Sequence, residues 1–254
     1  MNQSMIEFRN LCKSFGNRQI LKGLSLRILE SEIVFVLGTS GTGKSVLLKT
    51  LVGLMRADSG EIWIDGQEVS QISEENYLSI RKKCGMVFQQ PALFDSLTIF
   101  ENVAFGLRRH FQRKTVQGHP MSENEIAARV EKALDEVHLQ NLGHKKPSEI
   151  SYGMQKRVSL ARTIALEPKI LLFDEPTTGL DPVTTQSINL LIQELSRTLR
   201  TTSVVVSHDM QCALAIADRI IVLDQGHMIA EETPLTIKNC PHPLVQDFMR
   251  EVLP

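Results

Sequence analysis

Cysteine is scarce and scattered in this sequence: Cys12, Cys84, Cys212 and Cys240 form no CxxC pair and no closely spaced framework. The spacing excludes a small disulfide-stapled fold and predicts reduced thiols in a cytosolic protein. Cys240-Pro241-His242 offers two metal-ligand types, but in a proline-broken tail it reads as incidental. No apolar run approaches the ~18 residues that a membrane span needs, and Met1-Asn2-Gln3-Ser4 lacks the charged-then-apolar order of a secretory leader. Work at a membrane is therefore expected to pass through a separate polypeptide. An excess of one charge is missing too: 28 Lys and Arg face 29 Asp and Glu, a net charge of −1. That balance gives no global reason to expect a nucleic acid or an anionic surface as partner. What the 254 residues do contain, 42% apolar and 22% charged, is enough for one large core, as a single domain or a domain with an inserted lobe.

The first third reads as short strands at Ile6 to Phe8, Leu24 to Ile28, Ile33 to Leu37 and Glu61 to Ile64, with turn chemistry at Asp58-Ser59-Gly60 and Asp65-Gly66. Leu47, Leu48, Leu51 and Leu54 recur at helical spacing and predict a helix over Ser45 to Leu54. From about Pro91 to Glu149 the character turns helical. Ser122-Glu123-Asn124-Glu125 has the form of a capping box ahead of an apolar face of Ile126, Val130, Ala133, Leu134 and Val137, and Gln112 to Pro120 reads as a loop. The core pattern resumes with a strand at Ile170 to Phe173. Asp181 as N-cap and Pro182 at the first position then open a helix burying Ile188, Leu191, Ile192, Leu195 and Leu199. A strand at Ser203 to Val206, an Ala-rich helix at Met210 to Ala217 and a strand at Arg219 to Leu223 follow, so strands alternating with helices predict a largely parallel, covered sheet.

Two motifs carry the chemistry. Gly38-Thr39-Ser40-Gly41-Thr42-Gly43-Lys44-Ser45 follows the apolar run Ile33 to Leu37 and precedes the first helix, the context of a P-loop. Its glycines allow successive backbone N–H groups to converge on phosphates, Lys44 can reach the β- and γ-phosphates, and the Ser45 hydroxyl can bind Mg²⁺. Second, Ile170-Leu171-Leu172-Phe173 runs into Asp174-Glu175-Pro176. Carboxylates at the C-terminal end of a buried parallel strand open toward the same crevice. Asp174 is then placed to hold Mg²⁺, and Glu175 to polarise the attacking water.

With these in order, the chain resembles the nucleotide-binding subunits of ABC transporters over nearly its full length. Ile150-Ser151-Tyr152-Gly153-Met154-Gln155 stands at the place of the family's signature, Gly179-Leu180-Asp181 at its D-loop, His208 at its switch histidine, Gln89 at its Q-loop and Phe15 at its adenine-stacking aromatic position. The resemblance implies an α/β ABC ATPase fold: a P-loop core with an N-terminal antiparallel β subdomain and an inserted α-helical subdomain. As one domain it would comprise 1–90 and 160–240 as core, about 91–159 as the helical part with the signature, and 241–254 as a tail. It further implies ATP and Mg²⁺ as ligands, catalysis by Glu175, His208, Lys44 and Gln89, and a metal held by Ser45, Gln89 and Asp174. Nucleotide contacts extend over Gly38 through Val46 and Phe15, Gln89, Asp174 and His208. Asp181 is expected to contact nucleotide as well, and Ser151 and Gly153 to complete the ATP site of a second copy, so that a homodimer closes around two nucleotides. Taken alone, Ser151 reads as an ordinary N-cap, Gln89 as a surface residue and Phe15 as packing. Tyr152 replaces the signature's usual first glycine and Met154 its glutamine; a ring turned inward at 152 would slow catalysis.

The stretch Ala92-Leu93-Phe94-Asp95-Ser96-Leu97-Thr98 and the context of Gly153-Met154-Gln155-Lys156-Arg157 are similar to ATPases of MCE-type (Mla-like) bacterial phospholipid transporters. That similarity implies an integral membrane permease as partner, an MCE-type periplasmic lipid-binding protein beyond it, no nucleic acid, and a peripheral place on the cytoplasmic face of the inner membrane. Phe94 and Leu97 are expected to line a groove for a short permease helix. Amino-acid or other polar-solute importers share most of the motifs. A soluble ABC protein of translation or repair would carry two cassettes or a coiled-coil insertion, and a P-loop kinase would leave the signature and His208 without a purpose.

Overall fold

The computed structural model describes residues 3–111 and 120–252. The expected loop at Gln112 to Pro120 lies, apart from Pro120, outside the described residues. Two sheets organise the chain. β1 (Ser4–Phe15), β2 (Arg18–Leu29), β4 (Ser59–Ile64) and β5 (Gln67–Glu68) form an antiparallel sheet in the order β2-β1-β4-β5. In β2, buried Leu24, Leu26 and Ile28 alternate with exposed Ser25 and Arg27, the period of a strand with one covered face. Asp65 and Gly66 both take positive φ, 52° and 74°, as a two-residue hairpin between β4 and β5 demands.

The second sheet combines β3 (Ile33–Leu37), β6 (Cys84–Val87), β7 (Ile170–Asp174), β8 (Thr202–Ser207), β9 (Arg219–Asp224) and β10 (His227–Glu232) in the order β10-β9-β3-β8-β7-β6. All its pairings are parallel except β9 with β10. Every residue of β3, β7 and β8 is buried, which is why 33–37, 170–173 and 204–206 read as unbroken apolar runs and not as alternations. Val34 and Val36 join the core shared with the antiparallel sheet and α1 (Lys44–Leu51). Ile33, Phe35 and Leu37 face the opposite, helical layer.

That layer comprises α3 (Ile99–Phe111), α4 (Glu123–Glu136), α5 (Tyr152–Ile164), α6 (Pro182–Thr198), α7 (Met210–Ile216) and α8 (Pro243–Val252), while α2 (Glu74–Arg81) packs beside β6. The expected caps form. Ser122 and Glu125 make a reciprocal capping box on α4, and Asp181 accepts the Val183 and Thr184 N–H groups at the start of α6. Such caps stabilise a helix by about 1 kcal/mol each.

Some boundaries shift: β1 and β2 extend well beyond 6–8 and 24–28. The first helix ends at Leu51, because Gly53 turns left-handed at φ 68° with no room for a side chain against the Tyr77 ring, and Leu54 is left exposed. Leu199 is the C-cap of α6, half-buried and packed against the same core as Ile188, Leu191, Ile192 and Leu195. α5 spans Tyr152–Ile164 without a break. β5, β6, β10 and α2 are short or weakly patterned and carry no clear signal in the sequence. The tail folds as α8 on its own chain, packing against α7 and burying Val245, Phe248 and Met249.

Candidate functional site

The parallel strands end on one edge of the sheet, and the reactive loops leave from there. Register sets Leu37 opposite Ser207, Asp174 opposite Val206 and Val87 opposite Phe173. Gly38, His208, Glu175 and Gln89 follow within two residues of these pairs, so groups far apart in sequence meet around one cleft of about 700 Å³.

The phosphate loop spans the gap from β3 to α1. Gly41 and Gly43 hold φ of 83° and 105°, and a Cβ on Gly38 would lie 2.5 Å from the Leu223 carbonyl oxygen. Thr42 Oγ1 donates to the Thr39 carbonyl at 2.9 Å, closing the loop from behind. No side chain caps α1 and no acid occupies its first turn, which leaves its N–H groups and dipole open to an anion. Lys44 is buried; its Nζ donates to the carbonyls of Gly38 at 2.6 Å and Thr39 at 3.0 Å and lies 3.8 Å from Glu175 Oε1. Burial pushes the Lys44 pKa below the ordinary lysine range, opposed by the Glu175 and Asp174 carboxylates.

The acids divide their work. Asp174 is buried at the end of β7, where its Oδ1 accepts the Ser45 hydroxyl at 2.8 Å. Glu175 takes a left-handed φ of 50°, a strain of about 1 kcal/mol or more for a non-glycine residue. That turn brings its Oε2 within 2.9 Å of His208 Nδ1 and 3.2 Å of the Thr178 hydroxyl, which donates to it. Phe15 presents a half-exposed ring at the rim, the face an aromatic base would stack on.

Phe15, Thr39, Ser40, Gly41, Gly43, Lys44, Ser45, Val46, Gln89, Glu175 and His208 line the cleft, and Gly38, Thr42 and Asp174 form its backing. Ser151, Gly153 and Asp181 do not line it: they open α5 and α6, where Ser151 Oγ accepts the Met154 N–H at 3.3 Å. Arg18, Ile20, Thr178, Phe248 and Glu251 also line the cleft and were not identified from the sequence. Only Phe248 carried any signal, as an apolar residue of the tail helix. The Tyr152 ring does not turn into this cleft.

A second groove, about 640 Å³, lies between β6, α3 and α5. Phe88, Phe94 and Phe105 are exposed along it, the last two with ring centroids 4.7 Å apart. Arg81, Lys82, Arg109 and Arg162 also line it, and no carboxylate does among the described residues. Leu97 does not line the groove, contrary to expectation; its carbonyl accepts from the buried Asn102 side chain, so it anchors the start of α3.

A glycine-rich phosphate loop on a parallel strand, a buried lysine and a carboxylate pair from a neighbouring strand end together define a P-loop nucleoside triphosphatase. Residues 21–178 match the ABC transporter family, and the chain belongs to it, as an ATP-binding and ATP-hydrolysing subunit. It is similar to the intermembrane phospholipid transport system ATP-binding protein MlaF of Haemophilus influenzae, with 40% identity over 92% of this chain and 85% of the relative. It is equally similar to the glutamine transport ATP-binding protein GlnQ of Escherichia coli, with 40% identity over 98% of this chain and 100% of that one. Among solved structures, the dimeric post-hydrolysis state of the ATP-binding cassette MJ0796 bound to ADP and Pi superposes with a TM-score of 0.79 at 34% identity, covering 91% of this chain and 99% of the other.

Proposed function

We propose that this subunit closes as a homodimer around two ATP molecules at the cytoplasmic face of a membrane and drives a separate permease of the MCE type, moving phospholipid. The observation that carries the hydrolytic part is the place of Glu175, held between Lys44 and His208 at the mouth of the phosphate loop. Lys44 exchanges its two carbonyl partners for β- and γ-phosphate oxygens. Glu175 polarises the attacking water and takes its proton, while His208 holds that carboxylate and meets the γ-phosphate. Ser45 and Asp174, hard oxygen donors 2.8 Å apart beside the loop, fit Mg²⁺ and would hold it with the Gln89 amide. When bound, the ion neutralises charge on the phosphate oxygens. Phe15 stacks on the base. Ser151, Gly153 and Asp181, which lie outside the cleft of their own chain, face the partner's nucleotide; a dimeric structure of the related MJ0796 cassette supports this reading. If a monomer held apart at high ATP hydrolysed as fast as the dimer, the shared-site reading would fail.

The phospholipid reading is supported by the Ala92 to Thr98 stretch and the similarity to MlaF; full-length similarity to GlnQ favours a solute importer instead. Capture of tagged Glu175→Gln protein from native membranes with ATP, followed by mass spectrometry, separates them. An MCE-type permease with phospholipid is the expected result; a permease with a solute-binding protein would overturn the lipid reading and leave the ATPase standing.

The phenylalanine-floored groove is the proposed seat of a permease helix. Its basic lining commits that helix to an amphipathic segment bearing carboxylates. Phe94→Asp removes an aromatic ring from the half-exposed floor and sets a carboxylate against those of the helix, so co-purification of the permease should fall at least tenfold, with basal ATPase within about twofold. Unchanged co-purification would place the helix elsewhere.

A further inference from the structure

The start of α5 carries a side chain that phosphate binding does not require. Tyr152 follows the Ser151 cap directly, and 40% of its surface stays exposed. Its ring is nevertheless seated. A Cβ on Gly179 would lie 3.6 Å from Tyr152 Cε1, so the ring edge stands beside the left-handed turn that leads to Asp181, where the smallest side chain would touch it. One helical turn along α5, Lys156 sets its Nζ 5.4 Å from the centroid of the same ring. Lys156 is 3% exposed, and its Nζ donates to the Gln89 carbonyl. Burial pushes its pKa below the lysine range, with Glu175 acting in the opposite sense. Ring and carbonyl thus replace water that this ammonium has lost.

Neighbouring contacts join the same parts. A Cβ on Gly153 would meet Thr184 Cγ2 at 2.6 Å, so the start of α6 approaches α5 through the Thr184 methyl group, where Gly153 leaves it room. Arg157 donates to the Ser187 hydroxyl at 2.7 Å, and Arg162 donates to the carbonyls of Pro91 at 3.0 Å and Ala92 at 2.8 Å.

We propose that Tyr152, with Lys156, is a positioning pair that ties the start of α5 to both the Gly179 turn and the Gln89 segment of the same subunit, so that the three move as one unit. The inference rests on the reading of Ser151 and Asp181 as groups that face the partner's nucleotide. Gln89 lines the subunit's own cleft, so the tie carries the state of one nucleotide site to the other. A glycine at 152 would supply neither the ring beside Gly179 nor the face over Lys156. Both contacts are made by the ring and not by its hydroxyl, so phenylalanine should serve in its place.

Two readouts on the full chain test this. In nucleotide-free protein, the Thr178 and Leu180 amides donate to the carbonyls of Glu175 at 3.3 Å and Thr177 at 3.2 Å, and their hydrogen exchange reports the turn. Tyr152→Ala should speed that exchange roughly three- to tenfold, and Tyr152→Phe should leave it as in the wild type. In ATP titrations of hydrolysis, the Hill coefficient should approach about 2 for wild type and Tyr152→Phe and fall toward 1 for Tyr152→Ala and Lys156→Met. Unchanged exchange in Tyr152→Ala, an unchanged Hill coefficient, or a Phe variant as impaired as Ala would overturn the pair. Failure of ATP to dimerise the Glu175→Gln protein would overturn the shared-site reading and the intersubunit half of the proposal. The exchange result, read on the monomer, separates the two failures.

Discussion

Glu175→Gln is expected to lower ATP turnover by about 10²–10⁴-fold, the range for loss of a positioned base, while ATP binding persists. The amide matches the carboxylate in size and can still bond His208, which stands 2.9 Å away in the wild type. It cannot take a proton from water, and it no longer attracts the Lys44 ammonium at 3.8 Å. Nucleotide contacts from the phosphate loop are untouched, so ATP should hold the variant as a stable dimer. Phosphate release, fluorescent-nucleotide binding and sedimentation measure the three properties separately. Turnover within threefold of wild type would remove Glu175 from the role of base.

Lys44→Met is expected to cost about 10²–10³-fold in turnover and to weaken ATP binding as well, which distinguishes it from the Glu175 variant. The lysine is the buried cation of the loop and points where phosphate charge must settle. Its depressed pKa adds a test of opposite signs. The unfolded chain keeps the proton at pH values where folded Lys44 has begun to lose it. As pH rises through the window between the folded and ordinary lysine pKa, this group's contribution to nucleotide-free stability therefore grows. ATP affinity, which requires the charged form, falls over the same window. Both trends should vanish in Lys44→Met; calorimetric binding and urea midpoints between pH 7 and about pH 10.5 measure them. ATP affinity that is flat with pH in the wild type would count against a direct phosphate contact.

How much was legible in advance varies with how local each requirement is. The capping box at Ser122, the Asp181 cap and the turn at Asp65-Gly66 form as read, because each is satisfied within four residues. The helix behind the phosphate loop was read three residues too long. Leu54 fits the helical period, but Gly53 must pass Tyr77, a contact with a helix that the sequence pattern had not disclosed. Leu97 shared its apolar character with Phe94, yet one anchors α3 while the other faces the groove. Nothing in hydropathy separates two such residues three positions apart.

By itself, the sequence determined the phosphate loop, the alternation of strands and helices and the covered parallel sheet. Glycine conformation, capping and unbroken apolar runs act over a few residues and leave their mark there. Only the tertiary structure decided that Ser45 bonds Asp174, that Glu175 is held by His208, that Arg18 and the tail helix reach the cleft, and that the Tyr152 ring stands beside Gly179. Those contacts depend on the order β9-β3-β8-β7-β6, which brings distant strand ends together on one edge and is set by the packing of the whole core.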